Sequence, residues 1–173
     1  IIRRLCNMYD LMIIGSGPAG ISAALTAKAR NLNFIWFGSR ALSTKIEKAE
    51  KIMNYPGLPA VTGSEMQSVF LKQIDDCGIT ITESQVNSIY DCGGYFAAGA
   101  DNEIYEAKAV IMTVGMTTTR EIEGEARLLG CGVSYCATCD GALYKNKDIA
   151  VICASPKFED EVTFLAGLAN HIY

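Results

Sequence analysis

Tyr9-Asp10-Leu11-Met12-Ile13-Ile14 runs directly into Gly15-Ser16-Gly17-Pro18-Ala19-Gly20, and alanine-rich Ile21–Arg30 follows. The first run reads as a short buried strand, and the last as a helix. Asn33–Phe37 is a second strand, closed by Gly38. Strand, glycine-rich turn, helix and strand within roughly 30 residues make a βαβ unit with a parallel sheet, so the fold class is α/β. Gly15, Gly17 and Gly20 carry the spacing of a dinucleotide fingerprint. The first glycine permits the tight turn, the second lets backbone approach a pyrophosphate, and the third lets helix and strand pack closely. The helix N-terminus then offers free N–H groups to the phosphates. A purely structural glycine turn is the competing reading.

The nucleotide is not decided locally. An acidic residue about 20 positions on would grip a ribose hydroxyl. Here the second strand ends Phe37-Gly38-Ser39-Arg40, with no acid before Glu47. Arg40 would suit a 2′-phosphate, so FAD and NADP both stay open.

Composition bounds the rest. The chain has 173 residues, half of them hydrophobic and a fifth charged, with a net charge of −4. That balance excludes disorder. The acidic charge speaks against nucleic-acid binding, which needs a basic face. Apolar runs fall far short of the ~20 residues of a membrane span. The chain opens on Ile1 rather than Met, and Ile1–Asn7 reads as a leader without the apolar core of a signal peptide. Seven cysteines without such a signal point to a reducing cytoplasm.

Further along, Lys45–Ile52 reads as a short charged helix whose Lys45, Lys48 and Lys51 share a solvated face. Asn54-Tyr55-Pro56-Gly57 is a turn. Thr62-x-x-Glu65 is a capping box opening a helix to about Cys77, with Gly78 as its stop. Ile79–Glu83, Val86–Tyr90, Tyr95–Ala98 and Glu103–Tyr105 read as a meander of short strands, and Ala109–Val114 as a buried strand ending at Gly115. Met116–Gly132 is a polar linker into a second unit. There, Asp148–Ile152 reads as a buried strand, Pro156–Ala169 as an amphipathic helix, and His171 as an incidental surface residue opening another strand. The division is therefore 8–115 and 116–173.

Cys136-Ala137-Thr138-Cys139-Asp140 has three readings. A redox dithiol exchanges its disulfide with a partner, and such motifs lower a thiol pKa. Asp140 is placed to move the accompanying proton. Cys131, Cys136 and Cys139 alternatively match a plant-type iron–sulfur spacing, with Cys153 as fourth ligand. The third reading is simply small buried residues. A zinc site is disfavoured because His171 is the sole histidine.

Taken in order, Gly15–Gly20, Asn54–Gly57, Thr113-Val114-Gly115 and Gly132-Val133-Ser134-Tyr135-Cys136-Ala137-Thr138-Cys139-Asp140-Gly141 resemble the low-molecular-weight thioredoxin reductases. The likeness covers essentially all of Met8–Tyr173. It implies a three-layer FAD-binding Rossmann-like domain interrupted by the beginning of a second such domain, and a homodimer when full length. It implies that Gly15, Ser16, Gly17, Pro18, Ala19 and Gly20 cradle the FAD pyrophosphate. Gly38, Ser39, Asn54, Val86, Thr113, Val114 and Gly115 would also border FAD. Cys139 would be the flavin-proximal thiol, Cys136 the one that attacks thioredoxin, and Asp140 the acid/base. The resemblance also demotes the cluster reading.

Two departures from the family matter. Its second fingerprint, which binds NADPH, is here Cys153-Ala154-Ser155-Pro156-Lys157-Phe158. None of the three positions needing small residues holds glycine, and Phe158 falls where helix and strand should meet closely. Glu159, Asp160 and Glu161 put negative charge on the first helical turn, which repels a pyrophosphate. A branch of the family lacks pyridine-nucleotide binding and takes electrons from ferredoxin. Leu42–Ile52 resembles that branch, so ferredoxin is the expected donor. The alternatives are an NADPH-dependent thioredoxin reductase and a non-catalytic flavin or iron–sulfur electron-transfer module. The second departure is length: the family continues well past Tyr173, so the chain reads as an N-terminal fragment.

Overall fold

The computed structural model describes residues 8–115, 122–153 and 155–173. Residues 1–7, read above as a leader, and residues 116–121 of the expected linker lie outside them. The chain divides into two compact units. One takes in the described residues of Ile1–Glu47 and Gln67–Thr119, the other those of Lys48–Met66 and Arg120–Tyr173.

The first unit is built on a parallel sheet of β1 (Leu11–Ile14), β2 (Phe34–Phe37) and β6 (Val110–Met112), in the order β2-β1-β6. Leu11 faces Phe34 in register, and Met12 faces Val110. Helix α1 (Pro18–Ala29) is the crossover, burying Ile21, Ala24 and Ala27. An antiparallel meander, β3 (Val86–Asp91), β4 (Phe96–Ala100) and β5 (Glu103–Ala107), forms a separate layer. Met12 and Ile14 with Ile35 and Phe37 present one face of the parallel sheet to Ala98, Ala100 and Ala107 of the meander. These alanines let the layers approach, and Phe37 meets the Tyr105 ring edge-on at 5.0 Å. Strand residues alternate sides, so Leu11, Ile13 and Trp36 are buried on the other face. This is the α/β, Rossmann-like architecture expected, with parallel sheet and antiparallel insertion.

Helix α3 (Gly63–Asp76) has the predicted start and stop. Thr62 Oγ1 accepts the Glu65 N–H at 3.2 Å, and Glu65 Oε2 accepts the Thr62 N–H at 2.8 Å. At the far end the Ile79 N–H reaches the Ile74 carbonyl and the Gly78 N–H that of Asp75, a Schellman closure with Ile74 and Ile79 both buried.

Three expectations need correction. The charged helix is only α2 (Thr44–Glu47). Lys48 and Lys51 lie beyond it, because Ala49 and Ile52 are drawn into backbone bonds with Gly63 and Val61. Ile79–Glu83 does not join the meander. Thr82 instead bridges Phe37 in the parallel sense, donating to Trp36 O at 2.7 Å and accepting from Gly38 N at 3.1 Å. The strand at 148 shrinks to β7 (Asp148–Ile149), paired with β8 (His171–Ile172), and Ile152 is 74% exposed rather than buried.

In the second unit, short helices α4 (Glu125–Leu128) and α5 (Ala137–Asp140) precede a 3₁₀ turn at Gly141–Tyr144. Helix α6 (Glu159–Ala166) follows another 3₁₀ turn at Pro156–Phe158. Gly141 is where α5 meets α6: a Cβ there would sit 3.0 Å from the Phe164 ring.

Candidate functional site

The glycine-rich turn is fixed by what lies beneath it. Gly15 has φ +112°, open to glycine and strained for other residues. Its carbonyl accepts from Trp36 Nε1 at 2.8 Å, and the Thr113 hydroxyl reaches the carbonyls of Ile14 and Gly15 at 2.9 and 3.0 Å. A Cβ on Gly15 would overlap the Thr113 carbonyl, and one on Gly20 the Gly15 carbonyl. Gly17 differs: a Cβ there would meet nothing within 4 Å. Packing within the chain therefore explains Gly15 and Gly20 but not Gly17, whose open side is where a phosphate group would approach. Gly17 caps α1 with extended backbone, Pro18 takes the first turn where no N–H is needed, and that turn carries no acid. The cradle thus fits a dinucleotide pyrophosphate.

Ser16 is buried, donating to Leu42 O at 3.1 Å and accepting from Ser39 N at 2.9 Å. It thereby ties the cradle to Gly38 and Ser39 after β2. Val86 opens β3 half-buried, and Val114 beyond Thr113 is exposed. Asn54 belongs to the second unit, exposed in its turn, where Leu58 N donates to Tyr55 O at 3.1 Å.

Arg40 is engaged elsewhere. Both terminal nitrogens reach the Asp75 carboxylate at 3.0 Å. That carboxylate raises the guanidinium's pKa, and Arg40 in turn holds Asp75 below the usual carboxylate range. The guanidinium is thus turned toward Asp75 on the surface. Sequence reading missed the Trp36 buttress and the arrival of Glu83 at Arg40 N, 2.8 Å away. Partners 21 and 43 residues apart leave no local signal.

In the second unit Cys136 and Cys139 form a disulfide, Cα–Cα 5.3 Å. Cys136 caps α5, and its Sγ accepts the Cys139 N–H at 3.2 Å. Ser134 links this turn to Asp140: its hydroxyl donates to Asp140 Oδ2 at 2.5 Å and accepts from Cys136 N at 3.1 Å. Tyr144, on the following turn, has its pKa raised by burial first, then by the charges of Asp140 and Glu50. Cys131 is not drawn to the pair but donates toward Glu50 at 3.8 Å. Cys77, Cys92, Cys131 and Cys153 are free and exposed.

The second fingerprint position takes a different shape. The chain leaves strand geometry after Ile149, and the helix opens through a 3₁₀ turn capped by Ser155. Phe158 is 44% exposed, so it is not pressed into a close helix–strand approach as expected. Among the described residues there, the tight strand-to-helix turn seen at Gly15 has no counterpart. Ala154 lies outside the described residues. Glu159, Asp160 and Glu161 do occupy the first turn of α6.

A glycine-rich strand-to-helix turn and a Cys-x-x-Cys disulfide thus stand on one chain, each in its own compact unit. The family model "Pyridine nucleotide-disulphide oxidoreductase" matches residues 9–156, and the chain belongs to that family. Within it the chain is thioredoxin reductase-like. It is 30% identical to the thioredoxin reductase of Bacillus subtilis over 96% of its own length and 53% of that protein's. Among solved structures it is 44% identical to a ferredoxin-flavin thioredoxin reductase from Clostridium acetobutylicum, with TM-score 0.64, covering 96% of this chain and 58% of that one. A thioredoxin reductase from Streptococcus pyogenes is 32% identical with TM-score 0.80, covering 96% and 55%. The chain spans about half the length of the curated relatives it matches.

Proposed function

We propose that the protein of this chain is a flavin-dependent reductase of thioredoxin or a similar protein disulfide, with ferredoxin as electron donor. The Cys136–Cys139 disulfide, with Asp140 held beside it by Ser134, carries the reading. Residues Gly15, Ser16, Gly17, Pro18, Ala19 and Gly20 would hold the FAD pyrophosphate; Gly38, Ser39, Asn54, Val86, Thr113, Val114 and Gly115 would complete the flavin site. When bound, FAD supplies the two-electron relay between donor and disulfide.

Two electrons and two protons convert Cys136–Cys139 to a dithiol. The Cys139 N–H that now meets Cys136 Sγ remains to stabilise a thiolate there. That thiolate attacks the partner disulfide, forming a mixed disulfide and releasing one partner thiolate. Cys139 then attacks Cys136, expelling the second partner thiol and restoring the bond. Asp140 takes and returns the protons.

Two observations support ferredoxin over NADPH. The second nucleotide loop lacks glycine and faces an acidic helix turn. The Clostridium acetobutylicum protein of 44% identity is a ferredoxin-flavin thioredoxin reductase. Exposed free cysteines fit a reducing cytoplasm, and among the described residues no helix is long and apolar enough to cross a membrane.

Anaerobic reduction of the flavin-loaded protein tests the donor. Reduced ferredoxin should bleach the flavin rapidly and NADPH should not. Equal rates with both would overturn the ferredoxin assignment. A Cys136→Ser variant should keep flavin reduction and lose thioredoxin reduction.

A further inference from the structure

Strand β2 leaves an unfilled role. Folds of this kind place an acid at its C-terminal end to accept a hydrogen bond from an adenosine ribose hydroxyl. Position 38 cannot supply one, because a Cβ on Gly38 would lie 2.5 Å from Ser16 Cβ and 2.8 Å from its Oγ. Ser16 is itself fixed by Leu42 O and Ser39 N, so it cannot make room. No acid follows in the chain before Glu47.

A carboxylate arrives from another segment. Thr82 pairs beside Phe37 and extends the parallel sheet by one bridge. Glu83 is thereby delivered to the end of β2, where its Oε1 accepts the Arg40 N–H at 2.8 Å. Glu83 is exposed, and its second oxygen has no hydrogen-bond partner among the described residues. The Arg40 guanidinium hydrogen-bonds Asp75 at 3.0 Å and acts on Glu83 through charge alone, leaving that oxygen free as an acceptor. Arg40, Asp75 and Glu83 together carry one more negative than positive charge. Such a corner accepts hydrogen bonds from hydroxyls and repels a phosphate.

We propose that Glu83 is the ribose-binding acid of the dinucleotide site, accepting from a hydroxyl of the adenosine ribose and selecting a free 2′-hydroxyl over a 2′-phosphate. The proposal rests on the flavin reading of the Gly15–Gly20 cradle. It deepens that reading by naming which half of the dinucleotide is read and by what.

The test is FAD binding to the full-length protein that carries this chain, followed by flavin fluorescence and competed with ADP, 2′-deoxy-ADP and 2′-phospho-ADP. ADP should displace FAD about tenfold better than 2′-deoxy-ADP, the worth of a charge-assisted hydrogen bond. 2′-Phospho-ADP should compete worst. In Glu83→Ala, FAD should bind about tenfold more weakly, and ADP and 2′-deoxy-ADP should become indistinguishable. Unmodified chain that binds FAD yet does not discriminate the deoxy nucleotide overturns the role of Glu83 while leaving the flavin site standing. Equal weakening of ADP and 2′-deoxy-ADP in the variant, with discrimination retained, also overturns it, because Glu83 would then only brace the Arg40 loop. Failure of the unmodified chain to bind FAD overturns both readings together.

Discussion

Gly17 and Gly20 stand three residues apart and answer to different constraints. Gly20 is required by the chain itself, since any Cβ collides with the Gly15 carbonyl. Gly20→Ala should therefore lower the melting temperature, with a cost of about 1–3 kcal/mol or more. Gly17 faces open space, so Gly17→Ala should melt close to wild type and still lose FAD affinity in a fluorescence titration. Ordinary affinity in that variant would contradict the pyrophosphate placement. Ser134→Ala removes the hydroxyl shared by Asp140 and Cys136 N. It should slow thioredoxin reduction and shift the pH profile of Cys136 alkylation in the reduced protein, while leaving flavin binding unchanged. At this scale the glycines and the cysteine pair were legible, because spacing along the chain records them. Trp36 and Glu83 were not, because their partners are brought close only by the fold.

Among the elements, α3 was the most legible, since its start and stop are both local chemistry. Thr62→Ala should cost about 1 kcal/mol in thermal or denaturant unfolding through loss of the reciprocal cap. Glu65 is held below the usual carboxylate range, first by the Thr62 N–H and then by its hydroxyl. A depressed folded-state pKa means a contribution that is complete above the unfolded pKa of about 4.3 and lost as pH falls through the lower folded value. The melting difference between wild type and Glu65→Gln should thus be present at neutral pH and vanish in acid. Elements whose fate depends on distant partners were read less well. Ile79–Glu83 has the alternation of a strand, but β2 captures Thr82 before the meander can. The charged segment after α2 lacks an apolar stripe, so backbone bonds to Val61 and Gly63 decide its course. Ile149–Ile152 has the composition of a buried strand, yet β7 has only β8 as a neighbour among the described residues.

Across the whole molecule, each compact unit holds half of the proposed chemistry: the nucleotide cradle in one, the disulfide in the other. Disulfide exchange at Cys136 can be tested without any cofactor. A Cys139→Ser variant leaves Cys136 as a lone thiol at the α5 cap, able to attack a partner but unable to resolve the adduct. Incubated with oxidised thioredoxin and read by non-reducing mass spectrometry, it should yield a one-to-one mixed disulfide mapped to Cys136 and released by dithiothreitol. No adduct, or adducts at Cys77, Cys92, Cys131 or Cys153 instead, would contradict attack by Cys136.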